Sequence, residues 1–223
     1  METYLRRAAE LDAQSSLQAW AEYLYRQPGV VYLDGNSLGL LSKPAEAAVH
    51  QMLEAWKRYA IEGWIAGESP WFHLSRQIAG LLAPLLGTRE QNLALGESVT
   101  VNLHQLVASF FQPSTTRCSI LVDSLAFPTD IYVVQSQLRL RGLSPEVHLR
   151  FVPSRDGQTL HIEDLVESLR HPDVAFAVLP AVLYRSGQLL DMKRITEAGR
   201  QAGVTILWDC SHSVGGIPHQ FDQ

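Results

Sequence analysis

Between Ser119 and Trp208 the chain alternates short apolar runs with amphipathic segments of about ten residues, and this alternation constrains the fold more than any other feature. Ser119 to Asp123, Val147 to Val152, Val174 to Pro180 and Val204 to Trp208 read as strands. Val174 to Pro180 is apolar almost throughout, as a strand covered on both faces must be. Between them, Thr129 to Arg141 (closed by Gly142), Ile162 to Arg170 and Asp191 to Ala202 read as helices, the last with Asp191 as N-cap and Gly203 beyond its end. Such βαβ units imply an α/β fold with a mainly parallel sheet flanked by helices. The preceding residues read as mostly helical: Leu5 to Arg26, Pro44 to about Ile61, Leu74 to Leu86 and Val101 to Phe111, with a Gly-containing loop at 63–71.

Composition narrows the function. Hydrophobic residues are 46% and charged residues 18% of the 223, so a sizeable core is expected. A net charge of -5 without a Lys/Arg cluster gives no footprint for nucleic acid. No apolar run approaches the length of a membrane-spanning helix, and no signal-peptide pattern opens the chain, so a cytoplasmic protein without a membrane partner is expected. Cys118 and Cys210 form no C-x-x-C and fit free thiols of a reducing compartment. There is no dinucleotide or P-loop glycine motif.

In a parallel sheet, ligands collect where the strands end, and three segments put polar residues there. Gly96-Glu97-Ser98-Val99-Thr100 opens a helix, which suits either a phosphate or an ordinary Ser/Thr cap. Ala126-Phe127-Pro128-Thr129-Asp130 offers a ring that can stack on a flat ligand with an acid close behind; equally, Phe127 could be core and Asp130 a first-turn residue. Leu207-Trp208-Asp209-Cys210-Ser211-His212 runs an apolar strand into an acid, which is costly to bury without a partner. A protonated pyridine nitrogen would be such a partner, and His212 could orient the carboxylate or meet a phosphate. A turn cap is the alternative. No second His/Cys/Asp cluster supports a metal, and Asp209, Ser211 and His212 are too close in one loop for a catalytic triad.

Five segments in order resemble the kynureninase family of pyridoxal 5'-phosphate (PLP) enzymes: Tyr32 to Leu40, Glu97 to His104, Phe127 to Asp130, Leu183 to Gln188, and Asp209 to Gly215. The resemblance covers essentially the whole chain. It implies the fold-type I PLP-dependent transferase architecture, cytosolic homodimers, and hydrolysis of L-kynurenine or its 3-hydroxy derivative to the corresponding anthranilate and L-alanine, in tryptophan catabolism through the kynurenine pathway toward NAD biosynthesis. By the same resemblance Val99 and Thr100 match the phosphate-binding pair, and Phe127 the stacking ring. Pro128 and Thr129 belong to the same cofactor-binding segment. Asp130 and Asp209 match the carboxylates near the pyridinium nitrogen, and His212 a further cofactor contact. Ser37 and Trp64 match positions lining the substrate site. It further implies a truncated piece, with residues 1–50 as the N-terminal helix and a segment of the small domain, and 51–223 as an incomplete PLP-binding large domain. The family's Schiff-base lysine follows the His212 loop. Lys43, Lys57 and Lys193 do not match it, so no catalytic residue is assigned and the piece alone is expected to be inactive. Other fold-type I enzymes such as cysteine desulfurases also carry Asp-x-x-His after a strand. The Phe127 to Asp130 and Tyr184 to Gln188 segments favour kynureninase. A non-catalytic fragment is the remaining alternative.

Overall fold

A computed structural model describes residues 2–222. The chain forms two compact units, residues 1–75 and 76–223.

The first unit contains α1 (Glu2–Gln14), a 3-10 turn over Gln18–Tyr23, α2 (Lys43–Tyr59), a 3-10 turn over Ala60–Trp64, and the start of α3 (Trp71–Leu86). The helix expected over Leu5 to Arg26 is therefore broken. The chain turns at Ser15-Ser16, where the Ser15 hydroxyl accepts the Leu17 N–H at 3.2 Å and competes with the helix for backbone donors. α2 begins where Ser42 caps the Ala45 N–H at 3.2 Å and Pro44 occupies the first turn. The Val30 to Leu33 stretch forms no strand, and Val31 and Leu33 are exposed.

The second unit holds the rest of α3, α4 (Val99–Phe110), β1 (Ser119–Asp123), α5 (Pro128–Leu140), the short α6 (Pro145–His148), β2 (Leu149–Val152), α7 (Ile162–Leu169), β3 (Val174–Pro180), α8 (Met192–Ala202) and β4 (Thr205–Asp209). Val147 falls in α6 rather than in the strand, because Pro145 starts a helical turn there. All strand pairs are parallel, in the order β2-β1-β3-β4.

Alternation along the central strands explains the layers. Ile120, Val122, Phe176 and Val178 pack against Leu103 and Val107 of α4 and Val133, Val134 and Leu138 of α5. Leu121, Ala177 and Leu179 face the other way, onto Leu165 and Leu169 of α7 and Ile195 of α8. Two buried faces require strands without a polar side, which is what β1 and β3 supply. α8 is bounded as its sequence dictates: Asp191 accepts the Arg194 N–H at 3.0 Å, and Gly203 takes φ +67°.

The order β2-β1-β3-β4 also fixes where a ligand can sit. From β1 the chain builds outward to β2 on one side, and from β3 to β4 on the other. The carboxyl ends of β1 and β3 flank the switch point, where connecting loops part and leave a crevice.

Candidate active site

Three loops converge at that edge. After β1, Leu125, Ala126 and Phe127 lead into α5. After β3 come Val182, Leu183 and Tyr184. After β4 come Asp209 and His212. These residues, with Asp130 and Pro180, line one small cleft. Pro128 explains the placement of Phe127: proline disfavours a helical conformation in the residue before it, so Phe127 stays extended (φ −61°, ψ 135°) at the helix boundary. Its ring remains 43% exposed, available to a flat ligand.

The acids are coupled. Asp130 is buried and hydrogen-bonds the Asp209 side chain, and its carboxyl is pushed up to about 7, first by burial and then by the Asp209 charge and hydrogen bond. At neutral pH, Asp130 therefore keeps a proton for much of the time and donates it to Asp209. The Asp209 carboxylate also accepts the Ser211 N–H at 2.9 Å and its hydroxyl at 2.5 Å. Ser211 thus holds the carboxylate from one side, while the His212 imidazole turns toward the Tyr184 ring, 6.0 Å between centroids.

Asp123, at the end of β1, is a third acid. It is fully buried, one oxygen accepts the Leu125 N–H at 2.8 Å, and the other has no hydrogen-bond partner among the described residues. Burial pushes its carboxyl up to about 6, and its charge adds to the upward push on Asp130. An edge with three carboxyl groups and an unpaired buried oxygen is short of a positive group. A planar ring carrying a protonated nitrogen fits it: charge for the acids, a face for Phe127. Among the described residues no group of three His, Cys, Asp or Glu side chains could hold a metal ion.

Other expected site residues lie elsewhere. Val99 and Thr100 form the exposed first turn of α4, after Ser98 caps the Val101 N–H at 3.3 Å. Neither lines the cleft. Pro128 and Thr129 form the first turn of α5. Ser37 and Trp64 belong to the first unit, where Trp64 meets Trp71 edge-on at 6.0 Å between centroids. Lys193, on α8, does not line the cleft, and Lys43 and Lys57 belong to the first unit. Sequence reasoning missed Asp123 and Tyr184 as members of this edge. The signal for Asp123 was available, since it ends an apolar run just as Asp209 does.

Tyr184 and Gln188 give the post-β3 segment its shape. The Gln188 amide accepts the Leu160 N–H and donates to the Leu160 carbonyl, both at 2.8 Å, while Gly187 takes φ +71° between them.

Comparison with known proteins shows what the chain resembles. No family model matches the chain. The kynureninase of Bacillus cereus is 49% identical over 214 residues, 96% of this chain and 50% of that protein. The kynureninase of Geobacillus thermodenitrificans is 47% identical over 223 residues, 100% of this chain and 52% of that protein. Along nearly its whole length the chain is similar to kynureninases. It spans about half the length of the curated relatives it matches. Among solved structures, the cystine C–S lyase C-DES bound to its product cysteine persulfide superposes with a TM-score of 0.70 at 20% identity, over 87% of this chain and 51% of that one. A C-DES variant with glycine covalently linked to its PLP cofactor gives 0.71, again at 20% identity, over 87% and 50%. The cysteine desulfurase CsdA of Escherichia coli gives 0.65 at 18% identity, over 96% and 51%. The fold is therefore that of the fold-type I PLP enzymes.

Proposed function

We propose that this chain supplies the cofactor-binding edge of a kynureninase, which hydrolyses L-kynurenine or 3-hydroxykynurenine to anthranilate or 3-hydroxyanthranilate and L-alanine with PLP as cofactor. The observation that carries the reading is that Asp130, Asp209 and the exposed Phe127 line one cleft at the ends of the strands. Asp130, its carboxyl pushed up to about 7, can share a proton with Asp209, and the pair is matched to one pyridinium N–H. Phe127 covers a ring face, His212 closes the far side, and Pro128 and Thr129 fix the helix start from which Asp130 projects. Val99 and Thr100 are assigned to the phosphate by similarity, at a helix start with free N–H groups. Ser37 and Trp64 are assigned to the substrate on the same ground.

When bound, PLP supplies an electron sink that stabilises negative charge on the substrate's α-carbon. Asp209 keeps the ring nitrogen protonated and so keeps the sink effective. Residues 51–223 are read as the large, cofactor-binding domain and residues 1–50 as part of the small domain. A cytoplasmic homodimer acting in tryptophan catabolism completes the proposal.

Anthranilate fluorescence tests it. The product of the whole coding frame is expected to release anthranilate from kynurenine, and Asp209→Asn is expected to abolish most of that rate. Release of sulfide from cysteine with no anthranilate would favour the desulfurase-like activity of the structural neighbours and overturn the assignment.

A further inference from the structure

Tyr184 entered the sequence reading only as part of a family-like segment, yet it occupies the middle of the cleft's aromatic wall. Its ring meets Phe127 nearly edge-on, with centroids 5.2 Å apart and planes at 74°. His212 is a second ring neighbour, at 6.0 Å and 43°. The ring therefore bridges the two side chains assigned to opposite sides of the bound ring, and these come from loops after different strands. Its phenol is held in turn: Arg185 donates from Nε to the Tyr184 hydroxyl at 2.8 Å, and its guanidinium lies 5.3 Å from the ring centroid. Among the described residues Arg185 makes no ion pair that would compete with these contacts. Below, the Gln188 amide clips this segment to Leu160. An edge-on aromatic contact fixes the angle of a ring, which a contact between aliphatic groups does not.

We propose that Tyr184, held by Arg185, is a positioning residue that sets the angle of the Phe127 ring and the seat of His212 for a flat, phosphorylated pyridine ligand. The inference rests on the cofactor reading above and extends it by one residue and its support. Tyr184 needs no reactive role. It acts through Phe127 and His212, and Arg185 acts through Tyr184.

Pyridoxamine 5'-phosphate is a suitable probe of the 223-residue chain, because it binds without a lysine. Two signals are read: affinity by absorbance titration, and the ellipticity induced in the pyridine band, which reports how the bound ring is oriented. Tyr184→Leu is expected to weaken binding about three- to tenfold and to remove most of the induced ellipticity. Tyr184→Phe, which keeps the ring contacts and loses the phenol, is expected to restore affinity to within about threefold. Arg185→Gln, at an exposed position, is expected to reduce the ellipticity with about a twofold loss of affinity. Should Tyr184→Leu not fold by far-UV circular dichroism, Arg185→Gln carries the test, and an unchanged induced signal in that variant overturns the proposal. Phe127→Leu and Asp209→Asn separate the two levels of the reading. If they abolish binding while Tyr184→Leu binds like the parent chain with the same ellipticity, the role of Tyr184 is wrong and the cofactor reading stands. If the parent chain does not bind the probe, both are wrong.

Discussion

Residues 1–75 and 76–222 contain comparable helices but differ sharply in what those helices bury. Among the described residues of the first unit only Gly63 is buried, beneath the Trp71 ring, while Trp20, Val31, Leu33, Trp56 and Ile65 are all exposed. The second unit encloses two apolar clusters, one on each face of its sheet. An amphipathic pattern shows that a helix has a face to cover, and it leaves open what covers it. In residues 76–222 the strands answer that from within. In residues 1–75 no described strand does.

Core truncation should break the symmetry between the units most strongly. Leu179→Ala, fully buried on β3, is expected to cost about 2–5 kcal/mol in urea unfolding, while Leu33→Ala, 87% exposed, should change stability by about 0.5 kcal/mol or less. Equal effects would show that the first unit has a core of comparable weight. Gly63→Ala probes the one packed point of the first unit. A β-carbon there would lie 2.7 Å from the Trp71 ring, so a loss of about 1–3 kcal/mol and a changed tryptophan emission are expected.

Titration contrasts groups within the second unit. Asp130 and Asp123 have folded-state values raised to about 7 and about 6. A raised carboxyl favours the protonated folded state, so its penalty is absent below the unfolded value and accumulates as pH rises toward the folded one. Asp173 works in the opposite sense. Hydrogen bonds from Arg150 and Ser119 outweigh its burial and hold it down at about 2, so its stabilisation is complete above the ordinary carboxylate range and fades in acid. Melting temperature followed from about pH 4 to 7 should therefore fall less in Asp130→Asn than in the parent chain; an identical slope would remove Asp130 from the account. The smallest effect belongs to a surface pair. Glu10→Gln, which breaks the 3.3 Å contact with Arg7 on α1, should cost about 0.5 kcal/mol or less.

Much of the second unit was legible in the sequence because burial on both sides leaves a mark. β1 and β3 run over the expected residues, and α8 has the expected cap and terminal glycine. The misreadings share one cause, local competition for backbone hydrogen bonds: the Ser15 hydroxyl interrupts the first helix, and Pro145 starts a turn that takes Val147 from β2. The cleft was legible where residues follow strand ends, as with Phe127, Asp130, Asp209 and His212. Tyr184 was not, because its place depends on the angle between two loops, and no periodicity encodes that. Val99 and Thr100 were marked by their place at a helix start, which suits a phosphate and an ordinary cap equally, while Ser37 and Trp64 came from similarity alone.

The strand order has a kinetic consequence. The cleft draws on residues from Leu125 to His212, and β1 must pair with β3 across an intervening strand and three helices before its walls stand side by side. Pairing of segments so distant in sequence comes late and slowly in folding. A ligand that needs the whole cleft therefore recognises only chains in which that pairing is finished, and its binding can be used to count them during refolding.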